Sequence, residues 1–183
     1  MIAGVDEAGR GPWAGPVVAA AVVLRGVVPS GLDDSKKLTA KRREQLYAAL
    51  HASEALIGVG QASVAEIDAL NISQATYLAM TRAVEALGTN PSEILVDGNR
   101  LPPWRWPARA IVGGDASVPA IAAASIIAKV TRDAIMADLH GQHPDYGWLS
   151  NQGYGTAAHA RALKIHGVCC HHRRSFAPIR ALL

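Results

Sequence analysis

Short apolar runs that stop at a carboxylate constrain this sequence more than any other feature. Ile2–Val5 runs directly into Asp6 and Glu7, and Ile94–Val96 runs into Asp97. Ala110–Val112 passes through Gly113 and Gly114 into Asp115. Acids are depleted from strand interiors, so an acid pair straight after Val5 carries a cost that some gain must offset. Taken singly, an acid at a strand end could cap a turn or a helix. Three separate strand ends that each finish in acid point further. If those ends converge, they form an anionic pocket made of oxygen donors alone.

The remaining pattern indicates the frame around these ends. A turn-rich stretch holding Gly9, Gly11, Pro12, Gly15 and Pro16 joins the first run to a second β-like run, Val17–Leu24, and a third follows at Leu56–Ala62. Between the last two, Thr39 is the expected cap of a helix that begins with Lys41, Arg42 and Arg43. Ser63 and Glu66 have capping-box spacing. The 3.6-residue spacing of Ala75, Leu78, Ala79, Ala83, Ala86 and Leu87 predicts a helix from about Ser73 to Leu87. Strands are expected at Glu93–Asp97 and Ala110–Val112, and helices from Pro119 to about His140 and from Thr156 to just before Gly167. Three early strands followed by alternating helix and strand predict an α/β fold with a mixed β-sheet flanked by helices. The sequence marks no domain boundary, so residues 1–183 are expected to form one catalytic domain, with about 140–183 as a C-terminal helical extension.

Composition narrows the functional classes. The 183 residues are 50% hydrophobic and 18% charged, which is globular rather than disordered. The formal net charge of +3 permits a polyanionic partner without requiring one. Basic residues cluster at 36–43, at 100–109 and at 161–180, a pattern that solvated loops and helix faces also produce. Cys169 and Cys170 are adjacent, so no disulfide framework is implied and a reducing compartment fits. The apolar run from Pro16 to Leu24 is far shorter than the ~20 residues that cross a bilayer. A cytoplasmic, monomeric protein without a membrane partner is expected.

An oxygen-only pocket suits Mg²⁺ or Mn²⁺, hard cations that prefer carboxylate and water. Two such ions about 4 Å apart can activate a water and stabilise a leaving oxygen in phosphodiester hydrolysis. Without a cation the carboxylates would repel one another and any phosphate.

The residues around these acids resemble the ribonuclease HII family. Val5-Asp6-Glu7-Ala8-Gly9-Arg10-Gly11-Pro12 is similar to the family's opening motif. Asp34-Ser35-Lys36-Lys37-Leu38, Asp97-Gly98-Asn99, Gly114-Asp115, the stretch from Ala123 to Asp133, Gly153-Tyr154-Gly155-Thr156 and His172-Arg173-Arg174-Ser175-Phe176 match further segments in order. The likeness covers essentially the whole chain. It is to ribonuclease HII rather than ribonuclease HIII, whose N-terminal addition is not seen here. Ala122 departs from the family, which commonly has serine there.

The resemblance implies a ribonuclease H-like fold and a catalytic, metal-binding set of Asp6, Glu7, Asp97 and Asp115. It implies cleavage on the 5′ side of ribonucleotides in RNA–DNA hybrids and at single ribonucleotides within duplex DNA, leaving 3′-hydroxyl and 5′-phosphate ends. Gly9, Arg10 and Gly11 would read the 2′-hydroxyl, and Tyr154 would pack on the neighbouring deoxyribose. These roles are sensible physically, because glycines admit close backbone approach and the 2′-hydroxyl distinguishes RNA from DNA. Gly9 and Gly11 could instead simply shape a turn, and Tyr154 could anchor a loop.

Lys36, Lys37, Ser125 and Lys129 fall in matched segments and are candidate phosphate contacts. Ser125 could equally be packed in a buried helix, and Lys129 has the spacing for a helical ion pair with Asp133. The run Cys169-Cys170-His171-His172 lacks zinc-ligand spacing, and Trp104 and Trp106 are read as loop anchors. A binding module lacking catalysis and a junction resolvase with a similar acidic site are the competing functions.

Overall fold

The computed structural model describes residues 1–183. Its architecture follows from strand β2 (Val17–Val23), which is buried at every position. Strand β1 (Ile2–Ala8) pairs antiparallel along one edge of β2, with Gly4 opposite Val22 and Ala8 opposite Val18. Strand β3 (Leu56–Ala62) pairs antiparallel along the other, from Val17 opposite Ala62 to Val23 opposite Leu56. The free edge of β1 takes β4 (Glu93–Asp97) in parallel, and β4 takes β5 (Ala108–Ile111) in parallel. The result is a mixed five-stranded sheet in the order β3-β2-β1-β4-β5.

Alternation along β2 sends its side chains into two cores. Val17, Ala19, Ala21 and Val23 meet Ala75, Ala79, Met80, Ala83 and Val84 of α3 (Ile72–Glu85). Ala20 and Val22 meet Ala123, Ala124, Ile126 and Ile127 of α5 (Pro119–Gln142), beside Leu46 and Leu50 of α1 (Ala40–Ala52). Small residues bring both helices close to the sheet. A Cβ on Gly4 would lie 2.1 Å from the Ala120 carbonyl carbon, and one on Gly60 would lie 2.2 Å from the Ala79 oxygen. The helices rest on strand backbone at these points.

The expected caps are present. Thr39 accepts from the Arg42 amide at 3.2 Å. Ser63 and Glu66 close both arms of a capping box at the start of α2 (Val64–Leu70). Asn71 both ends α2 and starts α3: its φ of 72° breaks the first helix, and its side chain accepts from the Ser73 and Gln74 amides. The helix expected from Ser73 to Leu87 therefore spans Ile72–Glu85.

Other boundaries moved for identifiable reasons. The last strand runs Ala108–Ile111 rather than Ala110–Val112, since Pro107 hands the chain into the ladder two residues earlier, where its carbonyl takes the Ile94 amide. Beyond it, left-handed Gly113 opens a one-turn helix, α4 (Gly114–Ser117), that the sequence did not reveal. Trp104 and Trp106 meet edge to face with centroids 5.6 Å apart and pack against the core, as loop anchors do.

The C-terminal region contains α6 (Trp148–Asn151), α7 (Ala157–His166) and α8 (Ala177–Arg180). The four-residue helices are too short to display a period. Trp148, Leu163 and Ile179 from these helices form a small core with Ala14, Tyr146 and Met136 of α5. No helix is long and apolar enough to cross a membrane.

Gly4→Ala should destabilise the fold by about 1–3 kcal/mol, because its methyl meets helix backbone that cannot rotate away. Gly141→Ala, facing open space within α5, should stabilise by up to about 1 kcal/mol. Urea midpoints of the two variants check this; equal midpoints would contradict the close helix–sheet contact.

Candidate active site

The parallel pairing of β1 and β4 sets Val5 opposite Val96, so Asp6 and Asp97 lie side by side at the same end of the sheet. Asp115 arrives from the first turn of α4. Asp97 accepts from the Gly114 amide at 2.8 Å and from the Asp115 amide at 3.4 Å, tying that turn to the strand end. One carboxylate oxygen from each of Asp6, Asp97 and Asp115 lies within 4.8 Å of the others. In α/β sheets, ligand sites form at such carboxyl ends of strands.

Glu7 is not in this trio. Successive strand residues diverge, and the Glu7 carboxylate stands beside the cluster, 3.8 Å from the Arg10 guanidinium. The structure thus brings three of the four acids within 4.8 Å of one another, and the fourth, Glu7, adjoins Asp6 at the rim.

The acids carry an unrelieved charge. Burial raises the Asp6 carboxyl well above its ordinary range, and Glu7, Asp97 and Asp115 add to the rise, against one hydrogen bond from the Glu7 amide. Burial also raises Glu7, with Asp97 adding and Arg10 opposing. Asp115 is raised by burial, then by Asp97 and Asp34. Partial burial works against the Lys36 ammonium, but the pull of Asp34, Asp6, Asp115 and Asp97 outweighs it and holds the pKa up. Buried, mutually repelling oxygen donors fit a hard divalent cation, whose charge would relieve them.

A cleft of about 310 Å³ opens beside the acids. Asp6, Glu7, Gly9, Arg10, Gly11, Lys36, Ser125, Lys129 and Tyr154 all line it. Lys37 does not; it faces solvent and pairs with Asp33 at 3.4 Å. Lys129 reaches the cleft while paired with Asp133 at 2.7 Å, the helical ion pair its spacing indicated. Ser125 is buried in α5, and its hydroxyl donates to Ser35 Oγ at 2.7 Å. That contact docks the segment presenting Lys36. Beyond Glu7 and Arg10 a second hollow of about 200 Å³ is lined by Ser73, Tyr77, Asp97, Asn99 and Arg100.

Two residues essential to this geometry were not singled out from sequence. Arg173 belongs to a basic cluster that a solvated surface would also produce, and Arg132 lies in the charged half of α5, yet they are 0% and 1% exposed. Arg132 donates to the carbonyls of Ala14, Pro16 and Gln152 at 3.0–3.1 Å. Arg173 donates to the carbonyls of Gly9, Arg10, Gly15 and Pro16. Burial lowers the two guanidinium pKa values to about 10 and about 9. Together they fix the loop from Gly9 to Pro16. Gly9 has a φ of 94°, and a Cβ there would lie 1.9 Å from Arg132 Nε, so only glycine fits. One signal was available: Ser125, Lys129 and Arg132 share a helix face at i, i+4 and i+7.

The comparisons with known proteins agree with this geometry. The profile of the family described as Ribonuclease HII matches residues 3–179. The chain belongs to the ribonuclease HII family. It is similar to the ribonuclease HII of Sphingopyxis alaskensis, with 63% identity over 182 residues covering 100% of this chain and 91% of that protein. Its fold is similar to the crystal structure of ribonuclease H2 from Pyrococcus horikoshii OT3, with a TM-score of 0.80 and 27% identity over 99% of this chain and 96% of that one. Bst-RNase HIII in complex with Mn²⁺ shares the fold at 21% identity, with a TM-score of 0.77 over 98% of this chain and 68% of that one. The mixed sheet with flanking helices is the ribonuclease H-like fold, and as a ribonuclease HII the chain is a ribonuclease of the H type.

The raised carboxyls make a prediction about stability. Unfolded, they titrate in the ordinary range; folded, Asp6, Glu7 and Asp115 keep protons to higher pH. The folded state then binds more protons in the window just above the ordinary carboxylate range, so metal-free stability falls as pH rises through it. Asp6→Asn should raise the metal-free melting temperature at pH 7 by roughly 2–8 °C, equivalent to about 1–2 kcal/mol. It should also flatten the pH dependence. Melting curves in a chelator between pH 5 and 8 test this, and a lower melting temperature for the variant would refute the repulsion.

Proposed function

We propose that this ribonuclease HII is an endonuclease that cleaves the phosphodiester on the 5′ side of ribonucleotides, leaving 3′-hydroxyl and 5′-phosphate ends. Its substrates are RNA–DNA hybrids and duplex DNA with embedded ribonucleotides. The observation that carries the reading is the meeting of Asp6, Asp97 and Asp115 beside a cleft lined by Gly9, Arg10, Gly11 and Tyr154. In a cytoplasmic, monomeric enzyme this activity would serve removal of misincorporated ribonucleotides and of RNA primers.

Asp6, Asp97 and Asp115 are assigned as ligands of Mg²⁺ or Mn²⁺, with Glu7 at the rim completing the acidic set. Bound there, such ions supply Lewis-acid polarisation of the phosphate and lower the pKa of a water. Bst-RNase HIII with Mn²⁺, of the same fold, is in keeping with that choice. The chain's own groups do the positioning. Lys36 and Arg10 offer cations to backbone phosphates along the cleft, and Lys129 does so at a site already balanced by Asp133.

Discrimination of RNA from DNA is assigned to the loop from Gly9 to Gly11. The Gly9 and Arg10 carbonyls are held by buried Arg173. A trans peptide points its N–H opposite its C=O, and this chain has no cis bonds. The Arg10 and Gly11 amides therefore point away from Arg173 and are available to a 2′-hydroxyl oxygen. The absence of Cβ at both glycines lets the sugar come close. A Cβ on Gly11 would lie 3.4 Å from the Tyr154 ring, so the tyrosine face adjoins the same loop and can take the neighbouring deoxyribose.

A DNA duplex holding one ribonucleotide should, with Mg²⁺, be nicked once on the 5′ side of that ribonucleotide, while all-DNA duplex stays intact. Asp97→Asn and Asp115→Asn should each lower kcat by roughly 10³-fold or more, as expected for loss of a metal site contributing several kcal/mol. Uncut substrate with undiminished binding would favour a binding module; cutting of branched all-DNA substrates would favour a resolvase. Tyr154→Ala should lower kcat by about tenfold or more while duplex affinity changes less than about threefold, a split that loss of general packing would not give.

A further inference from the structure

His159 and His172 lie outside the cleft, but they are 0% and 1% exposed and face each other Nε2 to Nε2 at 3.1 Å. Their partners fix their tautomers. His159 Nδ1 lies 2.9 Å from the Tyr154 carbonyl oxygen, which can only accept, so Nδ1 carries the proton and Nε2 is the acceptor. His172 Nδ1 accepts from the Cys169 amide at 3.0 Å, so its proton is on Nε2, aimed at His159. The Trp148 indole N–H, 3.2 Å away, also points at this His159 nitrogen, so the two donors share its single lone pair. These contacts are satisfied together only when both rings are neutral, and burial keeps them so, lowering His172 to about 4.

The network ends at the tyrosine of the cleft. His159 sits in the first turn of α7, whose cap is Thr156, and its ring folds back over that turn. The Tyr154 carbonyl also accepts from the Thr156 amide at 2.8 Å, so both of its lone pairs are used. The flanking glycines are in close contact with the neighbouring loop. A Cβ on Gly155 would lie 2.1 Å from the Trp13 ring, and Gly153 accepts from the Trp13 amide at 2.8 Å. The Tyr154 side chain, 47% exposed, therefore stands on a peptide fixed from the buried side.

We propose that His159 is a positioning residue for cleavage: its Nδ1–H holds the Tyr154 peptide, and His172 with Trp148 holds His159 in the tautomer that can donate. The proposal rests on Tyr154 being the sugar contact. A small rotation of that peptide displaces the phenol at the end of its side chain, and a 1 Å misplacement can cost about 10²-fold in rate.

His159→Leu should lower kcat on the single-ribonucleotide duplex by roughly 10- to 100-fold with KM within about twofold. His159→Asn places an amide N–H where Nδ1–H stands and should recover most of the rate; His159→Gln should not. In a Tyr154→Ala background, His159→Leu should cost less than about twofold more, because its effect passes through the tyrosine. A full multiplicative loss in that background overturns the proposal. A second measurement needs no activity: ¹⁵N spectra of the wild-type protein at pH 7 should show His159 as the neutral Nδ1–H tautomer and His172 as Nε2–H. Either ring charged, or His159 protonated on Nε2, overturns the proposal even if the duplex is not cut. Failure of the wild type to cut, with these tautomers present, counts against the cleavage reading alone.

Discussion

Parallel pairing of the first and fourth strands makes one site out of acids that are far apart in the chain. With Val5 opposite Val96, the next residue on each strand is an aspartate, and both stand at the same end of the sheet. The sheet holds this register through interactions unrelated to charge. β2 is buried throughout, β1 is zipped to it, and α3 and α5 rest on glycine backbone at close range. Hydrophobic burial therefore forces together carboxylates that would separate if free to do so, and the raised Asp6 and Asp115 pKa values record that opposition. A site that is costly without a cation is one whose occupancy and stability are linked.

The loop beside the acids is held by the opposite charge. Arg132 and Arg173 are buried without a carboxylate partner, an arrangement that is costly on electrostatic grounds alone. Each guanidinium offers five donors in a rigid fork, and backbone carbonyls of the loop from Gly9 to Pro16 take four bonds from Arg173 and two from Arg132, whose third goes to Gln152. A lysine, with three donors on a flexible stem, could not hold the four carbonyls that Arg173 holds at once. The depressed guanidinium pKa values mark the electrostatic cost, and a backbone with little freedom is what that cost secures. Under the proposed function, reading one hydroxyl on a sugar requires closely fixed donors, and rigidity of this loop would then serve specificity.

The sequence made the fold legible wherever period and punctuation agreed. β3 and β4 appear at their expected residues, and Thr39, Ser63 and Glu66 cap as their spacing indicated. The acids were legible because carboxylates at strand ends conflict with local preference. Sidedness was not. Lys36 and Lys37 are neighbours of the same type, but only Lys36 enters the cleft, because the Ser35–Ser125 contact decides which way the segment turns. Asp6 joins the cluster and Glu7 stands at its rim for the ordinary reason that strand residues alternate. The roles of Arg132 and Arg173 were hidden because their partners are carbonyls from Gly9 to Pro16 and at Gln152, and a carbonyl leaves no trace in residue identity.

The C-terminal region gains its role from the same loop. Trp13 and Gly15 lie between the acids' strand and the segment carrying Tyr154, and both are hydrogen-bonded into the C-terminal part: Trp13 through Gly153 and Arg173, Gly15 through His171, on either side of the bridge pair Ala14 and His172. Residues 153–156 and 169–173 thus enclose one face of the loop from Gly9 to Pro16, while Arg132 from α5 closes the other. The sheet determines where charge gathers, and the segments between the C-terminal helices hold the loop beside it. The division explains why a region with so little regular structure is held by buried tryptophan, histidine and arginine contacts rather than by aliphatic packing alone.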